Sequence, residues 1–373
     1  MSIINVTTPL MPSLERYIQE LQKIWDSRWM TNNGPEYVQF QQKLEEKLGD
    51  KVELYVNGHM ALDVAIKALN LQGEVITTPY TFASTTHALV MNGLTPVFCD
   101  IKEDDYTIDE DKIEALITDR TCAILAVHVY GCICNVDKIK QIAEKHNLKV
   151  IYDAAHAFGV THNGESVAKN GDISMFSLHA TKVFNSIEGG ILVYHDEKYT
   201  KSLCNLRNFG IENAESVTSV GLNAKMNEFA AAMGICNLEI LDEAIQNRKK
   251  IVERYLETIG TLKGIKTLDY EAFAEKGYHS NYSYMPIEID EQVAGYSRDD
   301  LFDFLKTKEI IARKYFYPIV SDYECYRDRF DSEETPVAKR VGNRILTLPI
   351  AASMTEEEIT RCCDALREMA ERV

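Results

Sequence analysis

Apolar residues in this chain fall into short continuous runs, and the stretches between the runs carry a helical period. KVELYVN (residues 51–57) is β-rich, and HMALDVAIKALN after it sets Ala61, Leu62, Ala65, Ala68 and Leu69 on one helical face. EVITTP reads as a strand, FASTTHALVMNG as a helix closed by a glycine, and TPVFCDI as another strand. The alternation continues through IDEDKIEALIT (helix), CAILAVHVYG (strand), NVDKIKQIAEKHN (helix) and KVIYDA (strand). Strands that are mostly apolar, with helices between them, predict an α/β fold with a mainly parallel sheet covered on both faces.

After Gly190 the texture changes. NEFAAAMGICNLEILDEAIQNRKKIVERYLETI is one long helical pattern that crosses from a first domain to a second. From about Ile265 onward, HSNYSYMPIEI, SRDDLFDFLKTKEI and TEEEITRCCDALREMAER mix strand and helix signals, as a smaller α+β domain would. The expected division is a large domain over 1–245 and a small C-terminal domain over 246–373. No Pro- or Gly-rich linker marks it, but 373 residues exceed a single small core.

Composition narrows the function classes. Forty basic against 57 acidic side chains leave a net charge of −17, which favours neither nucleic acid nor an anionic membrane surface. A local basic pocket for a phosphorylated ligand stays compatible with that total. The N-terminus lacks a basic start followed by a long apolar core, so no secretory signal is expected, and no apolar run is long enough to span a bilayer. Nine scattered cysteines, several inside apolar runs, fit reduced thiols in a cytoplasmic protein. His128, Cys132 and Cys134 invite a zinc reading, but a fourth ligand at usual spacing is missing, so buried thiols and no metal are expected. The chain shows no internal repeat.

Three features fall at strand ends, where open parallel sheets bind ligands. Asn57 and Gly58 end a strand and open a helix, so the amides of His59 and Met60 would face a phosphate at the positive helix end. Asp153 follows the strand KVIY directly, as a helix cap or a ligand contact. Lys182 follows the run Ile173–Leu178 and precedes the twin glycine Gly189–Gly190. Taken alone it reads as a surface lysine with a wet head. If both strands belong to one sheet, Asp153 and Lys182 project into one crevice. A phosphate-binding helix end, an aspartate and a lysine are the attachments expected for pyridoxal 5′-phosphate (PLP).

At these residues the chain resembles the sugar aminotransferases of PLP fold type I, which have the aspartate aminotransferase fold. The resemblance runs over nearly the whole length and is densest in WMTNNGP, TTPYTFASTTHAL, VIYDAAHAFG, SLHATKVFNSIEGG, NAKMNEFAAAMG and LTLPIAASMTEEEI. It implies that Lys182 attaches the cofactor covalently and acts as general acid and base, and that Asp153 partners the pyridine nitrogen. Phe82 would stack on the ring, unless it is simply core. Ser177 would bind the phosphate with the amides of His59 and Met60. His156, where many members carry glutamine, would lie near the ring and its phenolic oxygen, unless it is an ordinary core histidine. Asn223 would reach the phosphate of a neighbouring subunit, making a homodimer part of the active site. RKYFYP, Arg313 to Pro318, either lines the sugar-nucleotide site or packs against the first domain. Two departures stand out: His59 replaces the usual hydroxyl residue after Gly58, and Ala230 a usual glutamine.

The activity so implied is transfer of the amino group of L-glutamate to a nucleotide-linked 4-keto-6-deoxyhexose. The sub-pattern is nearest to makers of dTDP-4-amino-4,6-dideoxyglucose for surface polysaccharide. Alternatives are amination of another nucleotide sugar or at C3, a dehydratase, and a silent PLP-binding regulator. Some dehydratase relatives replace the lysine with histidine, so the lysine at 182 argues for amino transfer.

Overall fold

Seven strands form the main sheet of the computed structural model, which describes residues 2–372. They are β1 (Lys51–Tyr55), β2 (Glu74–Thr77), β3 (Thr95–Phe98), β4 (Thr121–Val127), β5 (Lys149–Asp153), β6 (Ile173–Ser177) and β7 (Gly190–Tyr194). Their order is β1-β7-β6-β5-β4-β2-β3. Pairs among β3, β2, β4, β5 and β6 are parallel; β7 runs antiparallel to both β6 and β1. The sheet is therefore mixed but mainly parallel, as the run-and-helix alternation predicts. β5 lies at the centre, where four of its five residues are buried, which explains a strand with no polar alternation.

Helices α1 (Leu14–Ser27) and α2 (Pro35–Leu48) precede the sheet; α3 (Gly58–Ala68), α4 (Ala83–Met91) and α5 (Val136–His146) connect its strands. The predicted helix over IDEDKIEALIT is shorter than its pattern. Glu110–Ile113 is helical, Glu114–Leu116 tightens into a 3-10 turn, and the chain then turns into β4 at Thr121. α6 (Glu228–Ile259) is a single helix of 32 residues. Ala230, Ala231, Ile235 and Leu241 pack into a large-domain core, whereas Ile251, Val252, Tyr255 and Ile259 pack into a second core. That second core contains a three-stranded antiparallel sheet of β8 (Ile265–Thr267), β9 (Met285–Ile289) and β10 (Ile345–Leu348), with α7 (Arg298–Thr307) and α8 (Glu356–Glu371) against it. Ile4 also joins it and bridges to Ile310.

Each such aliphatic side chain, once buried, contributes about 1.5–3 kcal/mol. The packing also places chain turns within reach of one another. A Cβ on Gly190 would lie 2.3 Å from the carbonyl oxygen of Asn57, so only glycine lets β7 start against the turn that opens α3.

Three carboxylates meet where α1, α2 and the start of α6 join. Glu228 accepts the backbone N–H groups of Gly34, Glu36 and Tyr37 at 2.9, 2.8 and 3.2 Å and so caps α2. Glu36, almost fully buried, is pushed up to about 7 by burial and by its hydrogen bond to Glu20. The folded chain holds this proton to about pH 7, whereas an unfolded chain releases it near 4.5. Stability therefore falls as pH rises between those values, because the folded state binds more protons there. Glu36→Gln is expected to remove that slope, of order 1–2 kcal/mol. Urea midpoints measured from pH 5 to pH 8 test it; identical slopes in variant and wild type would refute the assignment.

Candidate active site

The carboxyl ends of β5 and β6 and the N-termini of α3 and α4 open onto one cavity of about 610 Å³. Asp153 is the last residue of β5 and lies in register with Val127 of β4 and Met175 of β6. Its Oδ2 accepts the Thr85 hydroxyl at 2.7 Å, and its Oδ1 accepts the Ala155 amide at 3.1 Å. Thr85 comes from the first turn of α4 and is itself 2.7 Å from the Thr81 hydroxyl. Burial pushes the Asp153 carboxyl above its ordinary range, against the pull of Thr85, the Ala155 amide and the Lys182 charge. The result is a buried acid facing a cavity, bonded to neutral donors alone.

Lys182 lies in the loop after β6, half-buried, with its backbone N–H on the His179 carbonyl at 2.9 Å. Its ammonium lines the cavity and makes no hydrogen bond or ion pair among the described residues. The structure thus brings the two residues of the sequence argument to one wall.

Asn57 caps α3 by accepting the Met60 amide at 2.9 Å. This corrects one expectation: the Met60 amide is already used by its own cap, and Met60 does not line the cavity. Gly58, His59 and Ser177 do line it. A Cβ on Gly58 would lie 3.1 Å from that of Ser177, so the bare backbone leaves a cradle beside the helix end. The His59 imidazole reaches Ser84 across the gap to α4, Nδ1 to Oγ at 2.9 Å. Phe82, the residue before α4, is 51% exposed and borders the cavity, which removes the core alternative for it.

His156 is buried in the same wall. Nδ1 accepts the Tyr130 amide at 3.1 Å, and Nε2 lies 3.4 Å from the Tyr315 hydroxyl. Burial, followed by the Lys182 and Arg313 charges, holds its basicity far below the ordinary imidazole value. The ring is neutral at physiological pH. Asn223 lies outside this cavity, exposed, with Oδ1 accepting the Lys225 ammonium at 2.9 Å. Cys132 and Cys134 are buried, and Cys134 Sγ donates to the Val127 carbonyl at 3.2 Å.

Sequence reasoning missed several residues at this wall or directly behind it. Thr85 carries a usable signal, since Thr81 and Thr85 stand four apart at a helix start. Tyr284 carries none; it enters from the segment before β9 and packs 4.5 Å from the His156 ring. Arg313, Tyr315 and Phe316 of RKYFYP line the cavity, and Tyr315 and Phe316 also pack in a core shared with Tyr80 and Tyr130. That stretch therefore borders the cavity and also packs against the large domain.

A mainly parallel mixed sheet with an acid and a lysine at its carboxyl edge, backed by a small α+β domain, is the aspartate aminotransferase fold (fold type I). The DegT/DnrJ/EryC1/StrS aminotransferase family model matches residues 13–367, and the chain belongs to that family. It is 40% identical to a dTDP-4-amino-4,6-dideoxy-D-glucose transaminase of Shigella dysenteriae, over 98% of this chain and 99% of that one. A protein of the same description from Escherichia coli is 41% identical over 96% of each chain. Among solved structures, DesI in the presence of its TDP-sugar product superimposes with a TM-score of 0.94 at 34% identity, covering 100% of this chain and 94% of that one. The protein is accordingly a sugar aminotransferase. Among the described residues no helix is long and apolar enough to cross a membrane.

Proposed function

We propose that this enzyme uses pyridoxal 5′-phosphate to move the amino group of L-glutamate to dTDP-4-keto-6-deoxyglucose. The product is dTDP-4-amino-4,6-dideoxyglucose, a precursor of surface polysaccharide, and 2-oxoglutarate leaves. One observation carries the cofactor reading: a buried carboxyl with only neutral partners and an unpaired ammonium share one cavity wall. The similarity to the two transaminases supports the sugar and the carbon aminated.

The residues fit the cofactor. Ser177, Gly58 and the free end of α3 would take its phosphate, with the His59 amide. Asp153 would hold the ring nitrogen protonated, and that cation would in turn neutralise the buried acid. Bound PLP supplies an aldehyde that takes up an amino group and a ring that withdraws electrons from the adjacent carbon. Lys182, which lines the cavity, would carry the proton to and from that carbon. Its intrinsic reach and lack of a carboxylate partner leave Nζ available for this. Tyr284, Tyr315 and Phe316 form an aromatic side of the cavity, with Tyr130 packed behind them. Amino and keto groups exchange between donor and acceptor, so no outside oxidant or reductant is required.

The enzyme should be incubated with glutamate and a panel of 4-keto and 3-keto sugar nucleotides, and the product identified by mass and NMR. Amination of the dTDP-linked substrate at C4 is expected. A product only at C3, or only on another nucleotide, would replace the substrate assignment, and no product from any would end it.

The reading also makes the enzyme a homodimer with shared sites, in the cytoplasm. An exposed Asn223 and exposed Trp25, Trp29, Met30, Phe209 and Val220 support a subunit face, and nine free cysteines support a reducing compartment. Heterodimers of Lys182→Ala and Asn223→Ala subunits are expected to recover part of the wild-type activity, up to about a quarter per random mixture. Confirmed heterodimers with no recovery would count against Asn223.

A further inference from the structure

The ammonium of Lys182 has no partner at its head among the described residues, so its place in the cavity is set by the loop that carries it. That loop, residues 178–189 between β6 and β7, is closed at its base by one residue. The Leu178 N–H donates to the Gly189 carbonyl at 2.8 Å, and the Leu178 carbonyl accepts the Ser186 N–H at 3.0 Å. Val183 and Phe184 drop into the large-domain core, where the Phe184 ring lies 4.3 Å from that of Phe158. The chain then returns through Asn185 to Ile187, at φ 69°, the one β-branched residue with a positive φ among the described residues. That conformation is disfavoured for a branched side chain and persists only where its surroundings enforce it.

The enforcing contacts come from two buried asparagines. Asn185 accepts the Ile187 N–H on Oδ1 at 3.2 Å and donates through Nδ2 to the Leu10 carbonyl at 3.0 Å. Asn237 of α6 donates through Nδ2 to the Asn185 carbonyl at 2.9 Å and to the Leu10 carbonyl at 3.3 Å. Leu10 belongs to an N-terminal strap that is hydrogen-bonded to the small domain at Ile4 and Val6. Three segments thus meet at one knot: the strap, the lysine loop and α6. Oδ1 of Asn237 has no partner among the described residues. A buried acceptor left unpaired costs stability, and such costs gather where position matters more than stability.

We propose that Asn185 and Asn237 are positioning residues for amino transfer: with the Leu10 carbonyl they fix the turn at Ile187, and with it the reach of Lys182 Nζ and of the Glu188 carboxylate. The inference rests on the reading of Lys182 as the acid and base of the reaction. Glu188 follows the strained residue directly and, with Asp153, is one of two carboxylates that line the cavity among the described residues. Its Oε1 lies 3.5 Å from Nε2 of His179, whose carbonyl accepts the Lys182 N–H. A shift of the turn therefore reaches both ends of the loop. Neither asparagine borders the cavity, so both act on the reaction through the backbone alone.

Hydrogen exchange of the full-length enzyme, followed by peptide mass spectrometry, reads the loop without reference to activity. In Asn237→Leu, which removes the donor at similar volume, exchange over residues 185–188 is expected to rise about 10-fold, the scale of one hydrogen bond. Peptides of β5 and β6 should keep their wild-type rates. The kcat for amino transfer is expected to fall about 10- to 100-fold, the scale of a misplaced reacting group, while KM for glutamate stays within about 2-fold. Asn185→Ala, which removes the bonds to Ile187 and Leu10 without adding bulk, is the second variant and is expected to show the same pair of effects. In both variants, unchanged exchange over 185–188, a rise spread through the whole chain, or a wild-type kcat overturns the proposal. Wild-type activity in Lys182→Ala overturns the catalytic reading instead, and the exchange result still decides what holds the loop.

Discussion

Lys182→Ala is expected to lower amino transfer by about 10⁴-fold, the upper end of what one positioned acid/base contributes, and to abolish covalent attachment of the cofactor. The expectation follows from where Nζ stands. It shares a wall with Asp153 and His156, makes no ion pair among the described residues, and so has no structural bond to lose on substitution. Folding should be unaffected, since the side chain is half-buried in a loop and contributes little packing. Borohydride reduction of the wild type followed by peptide mapping should place the PLP tag on Lys182, and the variant should carry none. A tag on any other lysine, or activity that survives the substitution, would remove the basis of the catalytic assignment.

Asp153→Asn should separate activity from stability. Oδ2 and Oδ1 accept from Thr85 and Ala155, and an asparagine amide can replace the first bond by donating to the Thr85 hydroxyl while Thr85 donates to Thr81. The hydrogen-bond network therefore survives the change. What vanishes is a buried negative charge whose burial raises its own proton affinity. With no cofactor bound, the variant should be as stable as the wild type or more so near pH 7, because the folded protein no longer bears an ionised acid out of water. With cofactor, the ring loses the anion that keeps its nitrogen protonated, and transfer should fall by about 10³-fold, the scale of a preorganised electrostatic contact. Urea melts of the cofactor-free proteins and single-turnover rates measure the two effects. A variant that is less stable and fully active would assign Asp153 a purely structural role. A residue that costs stability and supplies rate is what a functional acid in a dry site must be.

Parts of this architecture are legible one segment at a time. CAILAV, nearly all apolar, becomes β4 at the heart of the sheet because a strand covered on both faces needs no polar side. NEFAAAMG through LETI becomes one uninterrupted helix because its apolar period persists across both cores it joins. Asp153 and Lys182 are legible as strand-end residues for the same reason: the apolar runs before them mark where strands stop. The Met60 expectation failed on a local contest, since the side chain of Asn57 satisfies the very amide that the ligand was expected to take. IDEDKIEALIT failed on a global one, as entry into β4 cut its helix short.

The amino-acid order by itself determined the α/β class, the strand and helix runs, the family resemblance and the lysine and aspartate of the site, because each rests on periodicity or on motifs a few residues long. Tertiary structure alone decided the strand order, the partners Thr85 and Ala155 that keep Asp153 bonded, and the convergence of Tyr130, Asn281, Ser283 and Tyr315 around His156. Those contacts join segments far apart along the chain, and nothing in a local pattern specifies which buried surface will pack against which. Packing supplies that choice, and with it the bond between the Tyr130 amide and Nδ1 of His156.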